Sequence, residues 1–461
     1  MSKSWVPKIA GGDQPVYVAI TQALENDIVS GDLRAGDRLP THRELADRMG
    51  LAVGTVTKAY REAERRGLIQ GNGRRGTFVR GFPRHRETLL TDSRPEPGII
   101  DLSPYYTPTV TNPDLSHALS QLAGRDTRYL VQYTGPRGYA RHREAGARWL
   151  ATVGMDVDES AVIITAGAQH AIIMILAALG ERGDIIATAT HTYPGLKWAA
   201  ELLGLRLVGV ASDGEGLLPD AFEAICSKQQ VRFLYCIPTL HNPTNVTLGE
   251  ARRRSLAEVA EKYDVKIIED EINCRLLSNP ALPISSFVPE RSFLAASLAK
   301  VVAGGLRICY LSAPPGYHDR LYQALRGTTL MVSPLLAELA TIWINDGTTE
   351  RVIAHKRAEA EKRNRVAAEV LKNLSFTSFP TSYFIWLKLT ERWATGDFFS
   401  EAHRRGVIVA PSDIFAVDPA SVEKAVRVCL GGHTDMEALR RGLELIASVM
   451  RGATGPESSV F

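Results

Sequence analysis

Several polar side chains stand just past apolar runs of the strand type, and together they describe one kind of chemistry. Ile185-Ile186-Ala187 is followed by His191-Thr192-Tyr193-Pro194-Gly195, and the run from Arg232 to Pro238 by HNPTN, which contains Asn242. The run from Val265 ends in Glu269-Asp270-Glu271, and that from Phe293 ends in Ser297-Leu298-Ala299-Lys300, with Arg307 seven residues beyond the lysine. Val162-Ile163-Ile164 leads into Gly167-Ala168-Gln169, a small-residue turn opening a helix. In open α/β sheets ligands bind outside the carboxyl ends of the strands, where such residues collect. A lysine amine condenses with an aldehyde to form a Schiff base. A carboxylate keeps a pyridine nitrogen protonated, an amide holds a phenolic oxygen, and an aromatic ring stacks on the face. Helix N–H groups with an arginine hold a phosphate. Pyridoxal 5′-phosphate (PLP) is the cofactor that needs this set. Taken singly each residue has a plainer reading: Lys300 a surface charge, Asp270 a helix cap, Tyr193 a turn aromatic, Asn242 turn chemistry before proline. Their joint order favours the chemistry.

These residues need a large α/β body to hold them. From about residue 99 to 452, strand-like apolar runs alternate with longer amphipathic stretches, as in a mainly parallel sheet covered by helices. The chain has 461 residues, 45% of them hydrophobic and 23% charged, enough for two or three domains with a sizeable core. That mix excludes disorder, a collagen-like fibre and a disulfide-stapled mini-protein. Cysteines 226, 236, 274, 309 and 429 form no CxxC pair, so neither a zinc site nor a disulfide framework is expected, and no metal. Between Glu159 and Glu181, 21 consecutive residues carry no charge. The polar break Thr165–His170 makes this strand, turn and helix rather than a membrane span, which needs about 20 mostly apolar residues. No signal peptide is read, and a cytoplasmic protein without membrane contact is expected.

The net charge of +3 hides an asymmetry. Residues 1–86 carry 15 Lys+Arg against 9 Asp+Glu, a net of +6, and the remainder a net of −3. A basic head on a slightly acidic body implies a polyanion partner for the head alone. Three helices are expected there: about Pro15 to Ser30; a second capped by Thr41, with Glu44 completing a capping box, and ending at Gly50; and a third from Val53 to Arg66. Short strands, Leu68–Gln70 and Thr77–Val79, flank the tip Gly71–Gly76. This is the layout of a winged helix-turn-helix. Arg43, Thr55, Thr57, Lys58 and Arg61 and the wing residues Arg74, Arg75 and Gly76 are the candidate DNA contacts. A solvated charged helix is the plainer reading, which the complete layout disfavours. Residues 80–98, with three prolines, read as a linker between a head of residues 1–79 and a body of residues 99–461.

The stretch GDRLPTHRELADRMGLAVGTVTKAYREAERRGLI, followed by GRRGTFV, resembles the DNA-binding domain of GntR-type bacterial repressors. It departs from relatives with a basic residue early in the third helix, having Val53 and Gly54 there. TAGAQHA, YPG, HNPTN, EDE and SLAKVVAGGLR resemble, in order, the motifs of fold-type I PLP-dependent aminotransferases. That resemblance implies Lys300 as the Schiff-base lysine, Asp270 on the pyridine nitrogen, Asn242 on the phenolic oxygen and Tyr193 as the stacking ring. It implies Ala168, Gln169, Ser297 and Arg307 around the phosphate, Arg427 on a ligand's carboxylate, and Tyr133 reaching a neighbouring subunit's cofactor. Aminotransferases usually carry a tyrosine two or three residues after the aspartate; here stand Ile272 and Asn273, and Asn273 is the candidate to replace its hydrogen bond.

Together the two parts resemble the MocR/GntR family of bacterial regulators. The resemblance implies a head-to-tail homodimer on double-stranded operator DNA, and PLP sensing an amino compound through an external aldimine. An active aminotransferase carrying a DNA-binding head is the alternative.

Overall fold

The computed structural model describes residues 5–7, 15–29, 33, 37–65, 68–71, 76–79, 98–418, 422–432 and 435–452. It divides into two compact units, Met1–Arg94 and Pro95–Phe461. The wing arginines 74 and 75 and linker residues 80–97 lie outside the described residues.

In the first unit, α1 spans Val16–Val29, α2 His42–Met49 and α3 Val53–Arg65, followed by antiparallel strands β1 (Ile69–Gly71) and β2 (Thr77–Val79). The expected capping box is present. Thr41 accepts from the Glu44 backbone N–H, Glu44 Oε2 accepts from the Thr41 N–H at 2.7 Å, and Gly50 ends the helix at φ 63°. On α3, Val56, Ala59, Tyr60 and Ala63 recur at helical spacing and are buried against Ile20, Leu24 and Leu45. Burying that stripe leaves Gly54, Lys58 and Arg61 facing solvent.

The second unit is built on a seven-stranded sheet. Its strands are β3 (Val162–Thr165), β4 (Ile185–Ala189), β5 (Arg206–Val210), β6 (Val231–Cys236), β7 (Lys266–Asp270), β8 (Ser292–Ser297) and β9 (Cys309–Ser312). Their order is β3-β9-β8-β7-β6-β4-β5, and only β9 runs antiparallel to its neighbours. Strands β3, β4, β7 and β8 are buried along their whole length, as continuous apolar runs require when helices cover both faces. Phe293 in β8 is fully buried; truncating such a phenylalanine to alanine costs about 3–5 kcal/mol. The uncharged stretch after Glu159 resolves into β3 and α4 (Ala168–Leu179). No helix among the described residues is long and apolar enough to cross a membrane.

A smaller antiparallel sheet follows, made of β10 (Phe376–Thr377), β11 (Phe384–Lys388), β12 (Ala410–Pro411) and β13 (Ala425–Cys429) in the order β10-β11-β13-β12. Ile100–Asp101 pairs in parallel with Val407–Ile408, so the chain enters this unit beside the small sheet. All five cysteines are buried and free.

Candidate functional site

Strand register aligns the site. Asp270 ends β7 opposite Ala295 of β8, and Ser297 ends β8 opposite Cys309 of β9, which faces Thr165 at the end of β3. Three successive strand ends thus converge where Gly167 opens α4. Gly167 holds φ +92°, and a Cβ there would lie 2.4 Å from Arg307 Nη2, so the turn and the arginine require glycine. Arg307 itself sits at φ 53° and donates to the Ala166 carbonyl. Gln169 Nε2 donates to the Gly195 carbonyl at 2.9 Å, tying α4 to α5 (Pro194–Leu203), the helix that Tyr193 precedes. Ser297 is buried, and its hydroxyl accepts from the Ala299 N–H.

Asp270 is buried; Oδ2 accepts from the Tyr235 hydroxyl at 3.0 Å, while Oδ1 has no protein partner. Burial pushes its carboxyl up to about 7, against the pull of the Tyr235 bond. Lys300 is held down to about 8, by burial first and then by the Arg427 and Arg307 guanidinium groups. Its ammonium donates to the Tyr105 carbonyl and lies 4.3 Å from the Tyr105 ring centroid. Arg427, at the centre of β13 and 6% exposed, donates from Nη1 to Asn242 Oδ1 at 2.6 Å and from Nη2 to the Ser103 carbonyl at 2.8 Å. Burial raises the Tyr193 phenol to about 12, with Asp270 acting in the same direction. Lys300, Asp270, Asn242, Tyr193, Arg307 and Arg427, from separate elements, therefore share one electrostatic neighbourhood.

Tyr133 is 84% exposed. Asn273 is fully buried with both ends of its amide in use: Oδ1 accepts from the Tyr105 hydroxyl at 2.6 Å, and Nδ2 donates to the Leu240 carbonyl at 2.9 Å. It positions Tyr105. Tyr105, Ser103 and Tyr235 are site residues that the motifs missed. The first two lie in a stretch without periodicity, and Tyr235 lies within a strand buried everywhere except at Arg232.

A fit to PLP is testable on unsatisfied atoms. Asp270 Oδ1, Gln169 Oε1 and Arg427 Nε are buried polar atoms without a protein partner, and native interiors leave few of these. Asp270 Oδ1 suits a pyridinium N–H, the Gly167 turn with the first amides of α4 suits a phosphate, and Arg427 suits a ligand's acid. The residues fit the cofactor.

On the head, Arg43 and Arg61 are exposed. Thr57 donates to the Val53 carbonyl, 2.9 Å away, and the Lys58 ammonium lies 4.2 Å from the Tyr17 ring centroid, so both groups already have partners within the head. Thr55 is half-buried. Gly76 holds φ +108°, with Arg38 packed where its Cβ would be. Arg38, exposed and bridged to Phe78 of β2, is a basic group beside the wing that the motifs did not mark.

Residues 16–79 match the bacterial regulatory proteins of the gntR family, and residues 99–446 match aminotransferase class I and II. The fold and site thus define a DNA-binding head joined to an aminotransferase-like body. The uncharacterized HTH-type transcriptional regulator YdeF of Bacillus subtilis is 31% identical over 98% of both chains. The vitamin B6 salvage pathway transcriptional repressor PtsJ of Salmonella typhimurium is 27% identical over 91% of this chain and 95% of its own. Among solved structures, Pyrococcus horikoshii kynurenine aminotransferase, in complex with PMP, has a TM-score of 0.73 at 23% identity, covering 81% of this chain and 94% of its own. The chain belongs to the MocR/GntR family of transcription regulators, and family and fold support PLP as its cofactor.

Proposed function

We propose that this regulator senses an amino compound at Lys300 and reads double-stranded operator DNA as a head-to-tail homodimer in the cytoplasm. The observation that carries the reading is the Arg427–Asn242 bond. It joins the residue suited to a ligand's acid to the residue suited to the cofactor's phenolic oxygen, beside Lys300. When bound, PLP supplies an aldehyde carbon that joins a lysine amine and can pass to an incoming amine. Lys300, held down to about 8, gives up its proton more readily near neutrality than an ordinary lysine, as such bonding requires. Asp270 would accept a hydrogen bond from the ring nitrogen and keep its proton in place. Arg427 selects a compound bearing a carboxylate or sulfonate.

Val110, Val131 and Tyr133 are large apolar side chains exposed on the body, which supports its self-association. PtsJ, named as a vitamin B6 salvage repressor, supports vitamin B6 compounds as candidate effectors alongside amino acids. The second reading, a working aminotransferase, draws on the 2-aminoadipate transaminase of Thermus thermophilus, 28% identical over 70% of this chain. A ligand screen on the PLP-loaded chain separates them. A regulator changes its cofactor absorbance and DNA affinity without turnover. Steady conversion of an amino acid and a 2-oxo acid, with no change in DNA affinity, would overturn the regulator reading.

A further inference from the structure

The stretch Ser103–Asn112 lies across the site and occupies the donors a ligand needs. The Ser103 carbonyl accepts from Arg427 Nη2, the Tyr105 carbonyl from Lys300, and the Tyr106 carbonyl from the Gly432 N–H at 3.0 Å. The Tyr105 hydroxyl is fastened to Asn273, and its ring stands edge-on to Phe384 with centroids 4.9 Å apart. Further along, Thr107, Thr111 and Asn112 receive the ammonium of Lys356 at 2.9, 2.9 and 3.3 Å. Lys356 is a fully buried lysine of α6 (Thr348–Val370), and none of these three acceptors is a carboxylate. Three of the segment's backbone carbonyls and three of its side chains thus hold the two site cations, a buried lysine and a loop amide.

The geometry of Arg427 sets this arrangement in competition with a gripped acid. Nη1 is committed to Asn242 and Nη2 to Ser103, which leaves Nε alone without a partner. A carboxylate or sulfonate is held well by two parallel N–H groups of one guanidinium. The Ser103 carbonyl takes up an N–H of Nη2 beside the unpartnered Nε, so an acid gripping the Nε–Nη2 edge competes with it. Resting on the proposed roles of Arg427 and Lys300, we infer that Ser103–Asn112 is a strap that the effector displaces: its acidic group takes the place of the Ser103 carbonyl on Arg427. The displacement has a route along the chain. Ser103 donates from its N–H and its hydroxyl to Asp101 Oδ1, at 2.8 and 2.6 Å, and Asp101 is three residues from Gly98, where the chain running to the head begins. Release of Ser103 therefore changes the last tethered residues before the linker, and links occupancy of the site to the head.

The test uses the full chain loaded with PLP and two variants. Arg427→Gln removes the donor from the Ser103 carbonyl, and Tyr105→Phe removes the tether to Asn273 while keeping Arg427 and Lys300. Hydrogen exchange at Gly432 reports the strap, because its N–H is covered by the Tyr106 carbonyl. Tryptic cleavage at Arg80, Arg84 and Arg86 reports the linker. In Arg427→Gln, exchange at Gly432 should rise about tenfold, the scale of one lost charge-assisted hydrogen bond, with faster linker cleavage. Unchanged exchange and cleavage in folded Arg427→Gln overturn the strap. Should circular dichroism show that variant misfolded, the same two readouts on Tyr105→Phe decide. Cofactor absorbance keeps the two ideas apart. If the parent shows the lysine–cofactor band while exchange stays unchanged in the variants, the strap fails and the sensing reading stands. If the parent never forms that band, the sensing reading fails and takes the strap with it.

Discussion

Asp270 and Lys300 carry opposite pKa displacements, and both follow from taking a charge out of water. Asp270, raised to about 7, binds a proton in the folded chain that the unfolded chain has already released. Its burial therefore lowers stability increasingly as pH climbs from the ordinary carboxylate range towards 7. Lys300, lowered to about 8, acts from the other side: its penalty is full below about 8 and fades as pH rises towards the ordinary lysine value. The combined penalty of these two groups is greatest between about pH 7 and 8. Thermal melts should show a dip there that PLP loading fills, because a pyridinium partner relieves Asp270 and bond formation removes the lysine charge. A melting temperature that rises steadily through that window without PLP would contradict this. Asp270→Asn should weaken PLP binding at least tenfold in a spectral titration, since hydrogen bonds to charged groups contribute about 1.5–3 kcal/mol. Undiminished affinity would remove Asp270 from the cofactor.

At the scale of elements, the site was legible wherever a strand end is. Apolar runs reveal where β3, β4, β6, β7 and β8 stop, and polar residues past those ends must line a ligand site. Lys300, Asp270 and Asn242 were readable for that reason, and the capping box announced α2 equally directly. Ser103 and Tyr105 were not, because they reach the site from an irregular segment about two hundred residues from Lys300, and only the fold brings them there. Asn273, the candidate for the missing tyrosine's hydrogen bond, also ties Tyr105 to Leu240. Spacing places a residue near a site without saying where its amide points. The turn into α4 yields its own prediction. In Gly167→Ala a Cβ must push Arg307 aside at a φ that side chains disfavour, a strain of about 1–3 kcal/mol. PLP affinity should fall about tenfold, while pyridoxal, which has no phosphate, should bind as it does to the parent. Equal losses for both ligands would show that the turn does not serve the phosphate.

For the whole molecule, the near-neutral charge of +3 conceals two differently charged parts, of +6 and −3. The basic part should make DNA binding fall steeply with salt. Arg43→Ala should lessen the slope of log affinity against log salt by about one unit, as loss of a single phosphate contact does. An unaltered slope would take Arg43 off the DNA backbone. Lys58→Ala should change it less, because that ammonium already lies on Tyr17. The central claim joins the two parts: bonding at Lys300 sets how well the heads hold DNA. It is tested most directly by titrating duplexes selected from a random pool with the full chain and with Lys300→Ala, with and without the twenty standard amino acids and the vitamin B6 compounds, while recording cofactor absorbance. The account predicts that at least one compound changes absorbance and shifts the parent's DNA affinity by about 5–150-fold, the usual range of coupling between sites. It predicts no shift in Lys300→Ala. A shift of equal size in Lys300→Ala would contradict it.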